Sequence, residues 1–204
     1  MYIPSHFANT NLTALHDAVE RYSFATLISS RAGDMEASHL PLLIERQAGA
    51  RGTLLGHMAR ANRQWRDAAG QTVLAIFSGP HAYISPTWYE AEQVVPTWNY
   101  VAVHAYGCLE LIEDVAEAER LLNRTVGVFE ANQPRPWQIS ESREFIERLL
   151  QQIVAFRIPI SKIEGKWKLN QNRPVEQRQR VIETLARQVD DDSREIANLM
   201  REAK

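Results

Sequence analysis

Residues 22–45, YSFATLISSRAGDMEASHLPLLIE, decide the class of fold. Residues 22–29 are aromatic and β-branched, as a half-buried strand requires, and Arg31-Ala32-Gly33-Asp34 reads as a turn. Residues 39–45 (HLPLLIE) are the next strand. Pro41 has no N–H to give a ladder, which assigns part of that run to an edge or a bulge. Outward from this pair the same grammar repeats. Residues 47–52 form a turn, residues 53–58 a strand, and residues 72–78 (TVLAIFS) another that Gly79-Pro80 closes. Residues 82–85 are a short strand, and residues 100–112 are the longest, interrupted at Gly107. Short strands joined by turns predict a small antiparallel barrel or sandwich.

Helical periodicity lies between and after these strands. Residues 60–69 form a short connection with Trp65 as its main apolar anchor. Asp114 opens a longer helix with Glu117 three residues on, a capping box, and Leu121, Leu122, Val126 and Phe129 keep one face apolar. Pro134 and Pro136 end it. Ser140 opens a second helix with Phe145, Ile146, Leu149, Leu150 and Ile153 as its buried stripe. Residues 155–160 read as a closing strand. Pro174 begins a third helix with Val181, Ile182, Leu185 and Val189 on one face. Asp190-Asp191-Asp192 breaks it, and Asp192 with Glu195 caps a short last helix.

Composition bounds the function classes. The 204 residues hold 45% hydrophobic and 24% charged side chains at a net charge of −2, which is globular and carries no basic excess for phosphate backbones. A single cysteine, Cys108, placed within an apolar strand, excludes an intrachain disulfide framework and gives nucleophilic catalysis little support. No run reaches about 18 uninterrupted apolar residues, and the N-terminus lacks a basic start followed by an apolar stretch. A cytoplasmic protein with neither membrane span nor signal peptide is expected. His39, His57, His81 and His104 show no metal-ligand spacing, so no metal site is expected. Residues 174–204 predict two helices that could enter DNA, but six basic groups face seven acidic ones, and the three aspartates at their junction would repel phosphate.

Three clusters hold chemistry. Gly56-His57-Met58-Ala59-Arg60-Ala61-Asn62 ends a strand and starts a helix, where free N–H groups, the Arg60 fork and the Asn62 amide would seat a phosphate; spacing alone favours a surface arginine at a strand–helix junction. Val95-Pro96-Thr97-Trp98-Asn99-Tyr100, with Trp88 and Tyr89 upstream, supplies flat faces for a heteroaromatic ring, or a plug for a barrel end or subunit contact. Residues 164–174 (EGKWKLNQNRP) are too polar for a core strand. They read as a solvated loop leading into a helix capped by Asn172, or as a clamp on an anion through Lys166, Lys168 or Gln171.

Read in order, Met1-Tyr2-Ile3-Pro4 with His6-Phe7, Ser38-His39-Leu40-Pro41-Leu42, and residues 56–62 carry a resemblance. It continues through residues 75–80, 83–86, 95–100 and 163–174. Together they resemble the PaiB-type FMN-binding negative transcriptional regulators, a branch of the FMN-binding split-barrel superfamily. The resemblance implies a mainly β, α+β fold: an antiparallel split β-barrel with flanking helices, paired as a homodimer with FMN between subunits. It implies a split-barrel domain over residues 1–173 and a helical C-terminal extension over 174–204 that packs on the barrel or the partner. Arg60 and Asn62 would hold the phosphate. Ser38, His39 and Leu40 would lie along the ribityl chain and ring through backbone groups. Thr97, Trp98 and Asn99 would meet the isoalloxazine edge, with Lys166 and Gln171 in the clamp. Arg63 stands where the family commonly has proline, and Asn170 where it frequently has serine. The implied function is repression of transcription, reaching DNA directly or through a partner; the alternative is a flavin-dependent oxidoreductase or haem-handling enzyme.

Overall fold

The computed structural model describes residues 1–139 and 143–203. In chain order the strands are Ala8–Asn9 (β1), Phe24–Arg31 (β2), Asp34–Pro41 (β3), Leu43–Glu45 (β4), Thr53–Ala59 (β5), Thr72–Ile84 (β6), Thr97–Cys108 (β7), Glu110–Leu111 (β8) and Ile153–Lys168 (β9). The helices are Leu12–Arg21 (α1), Gln64–Ala68 (α2), Val115–Glu130 (α3), Arg143–Gln152 (α4), Val175–Leu185 (α5) and Asp191–Glu202 (α6). The strands form an antiparallel sheet in the order β3-β2-β6-β7-β9-β5-β4, with β1 and β8 also paired to β9. Residues 19–77 and 105–163 make one compact unit; residues 1–18, 78–104 and 164–204 make another.

In the first unit, β2 and β3 meet through a two-residue turn. Ala32 and Gly33 both hold positive φ, 53° and 96°, which matches the twist of the flanking strands. The ladder then runs from Arg31↔Asp34 to Phe24↔Pro41. Pro41 sits at the end of β3, and β3 ends the strand order, so its missing N–H costs no ladder bond. On β2 the even positions stay out while Ala25, Leu27 and Ser29 go in. Strand β5 pairs along β9 from Thr53↔Pro159 to Ala59↔Ile153. Leu27, Leu42, Leu54, Phe77 and Phe156 lie under the sheet with no exposed surface, each contributing about 1.5–3 kcal/mol relative to exposure. Asp114 caps α3 through Glu117 N at 2.7 Å, as the capping pattern predicts. Ala118 and Leu121 join a cluster with Leu43, Ile112 and Ala155. Only the first half of α3 reaches that cluster, so Phe129, expected on the buried face, is 42% exposed. The expected start of the next helix at Ser140 lies outside the described residues.

In the second unit, Tyr89, Ile84, Leu169, Val181, Ile182 and Leu185 pack with Ile196, Ala197 and Met200. This buries the facing sides of α5 and α6. Helix α5 ends at Leu185, so Val189, expected on its apolar face, lies in the junction and is 90% exposed. The cap of α6 is Asp190, whose Oδ1 accepts from Ser193 N at 2.7 Å, two residues before the expected Asp192. Asp190 alone keeps the extended backbone a cap needs. Pro174, not Asn172, occupies the position before α5 and makes no side-chain cap bond.

Several strands depart from their expected bounds. The run expected at 39–45 divides into β3, which already starts at Asp34, and β4. The run expected at 100–112 starts at Thr97 and divides into β7 and β8, and β6 and β9 continue past their expected ends. Gly79-Pro80 does not close β6, which continues to Ile84 with alternating burial. Its pairing with β2 spans Leu74–Ile76, so Pro80 lies beyond that stretch, and β7 is the neighbour on its other side. The polar residues 164–168 extend β9, because β1 pairs with them at Ala8↔Lys166 and Asn9↔Gly165. Lys166 is buried there with compensating contacts: its ammonium donates to Tyr2 O at 3.1 Å and lies over the rings of Tyr2 and Tyr100.

Gly107 does not interrupt β7. A Cβ there would meet Pro159 O and Ile158 Cγ2 on β9, and the backbone oxygen has nowhere to go. Gly107→Ala is therefore expected to lose about 1–3 kcal/mol of stability, read as a lower urea midpoint. An unchanged midpoint would contradict this close approach.

Candidate functional site

Strand β3 pairs with β2 alone among the described residues, and its outer N–H and C=O groups meet no further strand. Ser38, His39 and Leu40 lie on it with alternating side chains. Leu40 is buried and Ser38 half-buried, while His39 is exposed on the opposite face. His39 stacks on Phe24 at 6.4 Å between ring centroids, and its Nδ1 is 3.1 Å from Thr26 Oγ1. From this segment the inward face offers Ser38 Oγ and the open edge offers backbone groups.

Asn62 comes to the same place. It follows the turn leaving β5, where Asn62 N donates to Ala59 O, and its Nδ2 donates to Ser38 Oγ at 2.7 Å. The structure thus joins two segments that are 24 residues apart in sequence. The expected free helix N-terminus is not there. Helix α2 has five residues, and Gln64 N–H is already taken by Asn62 Oδ1 at 3.0 Å.

Arg60 shares that turn. Its guanidinium leans onto the start of β9, with Nε donating to Gln151 O at 2.8 Å and Nη2 to Ile153 O at 2.6 Å. This fixes the plane of the fork and leaves Nη1 exposed for an anion. The side chain borders a cavity of about 390 Å³ walled by Trp65, Leu111, Ile112, Leu150 and Val154. A serine hydroxyl, an amide, a partly unspent guanidinium and an open strand edge fit a phosphate ester and a chain of hydroxyls. Arg60 would hold the phosphate, with Asn62 and Ser38 beside it.

The remaining expected residues belong to the other unit. The Lys168 ammonium donates to Thr97 Oγ1 and to Trp98 O, the latter at 2.8 Å. Trp98 is 52% exposed, with Tyr83 and His81 against its ring at 5.9 and 6.0 Å. Asn99 has no exposed surface: its Nδ2 faces Met200 Sδ at 3.4 Å, and its Oδ1 has no partner. Gln171 folds back on its own loop, accepting from Leu169 N and donating to Trp167 O at 2.6 Å. The aromatic cluster divides, since Tyr89 is core and accepts from Asn170 Nδ2 at 2.9 Å. Cys108, expected within an apolar strand, ends β7 and is exposed. Sequence reasoning missed Gln64, because a buried glutamine leaves no mark on hydrophobic periodicity.

Residues 1–162 match the family described as "Putative FMN-binding domain". The chain is 37% identical over 205 residues to Protease synthase and sporulation protein PAI 2 of Bacillus subtilis (strain 168), covering 99% of this chain and 97% of that protein. It is 27% identical over 234 residues to an uncharacterized protein of Aspergillus fumigatus, covering 90% of each. In structure it is similar to the flavocytochrome Anf3 from Azotobacter vinelandii, with TM-score 0.61 and 13% identity over 81% of this chain and 72% of that one. The FAD and heme binding protein from Mycobacterium smegmatis gives TM-score 0.61 and 16% identity over 79% and 73%. These two likenesses establish a split-barrel fold. No helix of the described residues is long and apolar enough to cross a membrane.

Electrostatics beside the turn gives a pH signature. Burial holds the His57 imidazole on β5 below its ordinary value of 6.5, because the charged ring would lose water. As pH falls below 6.5 the unfolded chain takes up this proton before the folded one, so stability is lost on acidification toward the lowered folded value. His57→Gln is expected to flatten the drop in urea midpoint between about pH 7.5 and about pH 5.5. A drop as steep as in the wild type would show that His57 carries none of it.

Proposed function

This chain belongs to the FMN-binding domain family, and from that premise we propose that it is a flavin-bound, homodimeric negative regulator of transcription. The observation that carries the flavin seat is the Asn62–Ser38 hydrogen bond of 2.7 Å, which brings two donors to the open edge of β3 beside Arg60. FMN, when bound, supplies a redox-active isoalloxazine ring. The chain's own part is to grip the ester: Arg60 through Nη1, Asn62 and Ser38 through their side chains, His39 and Leu40 through the backbone. Lys166 and Gln171 already have partners within their own unit, so they act by holding residues 164–173 in shape.

The regulatory half of the reading is supported by the full-length likeness to the Bacillus subtilis protein, whose name ties it to protease synthesis and sporulation. That likeness runs over 99% of the chain and so includes α5 and α6. Those helices carry a slight acidic excess, and Asp190, Asp191 and Asp192 crowd the start of α6. DNA is therefore reached through a partner protein or a surface composed by two copies. Exposed Trp98, Phe24 and Met35 are the apolar residues that a second copy would cover.

Purified protein is expected to bind FMN and to scatter light as twice its 23.3 kDa chain mass. Arg60→Ala should weaken FMN binding by about 1.5–3 kcal/mol, the loss of a charge-assisted hydrogen bond. Equal affinity in both proteins would remove Arg60 from the seat. In cells, deleting the gene should raise a defined set of transcripts, which the wild-type chain restores and Arg60→Ala restores poorly. An unaltered transcript profile would contradict the regulatory role.

A further inference from the structure

Gln64 opens α2 with no exposed surface, yet it carries a polar amide. Its Nε2 donates to Leu27 O at 3.0 Å, Ser29 Oγ at 3.1 Å and Glu36 O at 3.1 Å. Three acceptors share two amide hydrogens, and they belong to both strands of the edge hairpin: Leu27 and Ser29 to β2, Glu36 to β3. The backbone N–H of the same residue holds Asn62 Oδ1 at 3.0 Å. Asn62 in turn gives its Nδ2 to Ser38 Oγ. Both ends of the Asn62 amide are thereby fixed, and its orientation follows from where Gln64 is anchored.

The anchoring has a cost that space-filling alone would not justify. Gln64 Oε1 is buried without a hydrogen-bond partner. An apolar side chain of similar length would fill the position and avoid that orphaned acceptor, but it could not tie α2 to Leu27 O and Glu36 O. Trp65, the residue expected to anchor this segment, is only half-buried.

We infer that Gln64 is the positioning residue of the flavin-phosphate seat. It touches no ligand. It pins the α2 turn to the β2–β3 hairpin, so that Asn62 and Ser38 face the phosphate with their donors already set. The inference rests on the reading of Asn62 and Ser38 as phosphate ligands, and the experiment separates the two.

Full-length Gln64→Met, Asn62→Ala and the double variant would be titrated with FMN and melted without it. Gln64→Met is expected to weaken FMN binding about tenfold in the wild-type background and less than about twofold in the Asn62→Ala background, as coupled neighbours do. The melting temperature should fall equally in both backgrounds, so a purely structural role would not reproduce the pattern. The same loss of affinity in both backgrounds, or none in either, overturns the inference. Should Gln64→Met lack a cooperative transition, Ser29→Ala decides, since it removes one of the three acceptors. About a threefold loss that disappears with Asn62→Ala supports the inference, and unchanged affinity overturns it. Wild-type FMN affinity in Asn62→Ala alone would overturn the phosphate seat itself, and the positioning role with it. Weakened binding there with intact binding in Gln64→Met would overturn the positioning role only.

Discussion

A strand at the margin of a sheet leaves half of its backbone donors and acceptors without a strand to meet, and β3 is such a strand. Much of the chemistry of this protein follows from how that margin is managed. Proline sits where the missing N–H is harmless. A buried glutamine ties the hairpin from beneath through two carbonyls and a hydroxyl. The turn after β5 brings an asparagine onto Ser38. What remains open is a polar strip at Ser38 and Asn62, on the turn that also carries Arg60, and it is the strip proposed to meet the flavin's phosphate and hydroxyls. In the proposed reading, an edge that would otherwise invite another chain serves as a place for the flavin.

The other unit is organised around a second kind of restraint. Residues 97–99 are held from residues 164–204: Lys168 donates to Thr97 and Trp98, and Met200 faces the Asn99 amide. Arg178 adds to this by donating to Met200 O and Ala203 O, which fastens the end of α6 to α5. Burial and the neighbouring Lys166 push the Lys168 ammonium below its ordinary value, so its hydrogen bonds offset a real desolvation cost. Strand β9 therefore supports Thr97 and Trp98, and the C-terminal helices support Asn99 through Met200.

The turn at Ala32-Gly33 and the strand before it were legible from local pattern, but the returning strand was not. It starts at Asp34, five residues before the expected residue 39, because the polar run 34–38 shows no apolar alternation and is held by its ladder to β2. The cap at Asp114 was also legible from local pattern. The lengths of β6 and β9 were not. Proline and a run of charges are strand breakers only where a neighbouring strand needs the lost bond or cannot shelter the charge. Those conditions depend on residues far away, such as Tyr2 for Lys166. Of the proposed flavin ligands, resemblance supplied the names, and geometry then separated them: Ser38 and Asn62 meet, whereas Asn99 turns to Met200. Gln64 was invisible, because its role lies in partners 28 to 37 residues distant.

The phosphate end of the flavin is the end that the proposed seat grips. Parallel equilibrium titration of the flavin-free protein with FMN and with riboflavin, which lacks only the phosphate, tests that most directly. A strong preference for FMN is expected, shrinking as salt is raised, since a guanidinium–phosphate contact at the surface is screened. Equal affinity for the two flavins would contradict it.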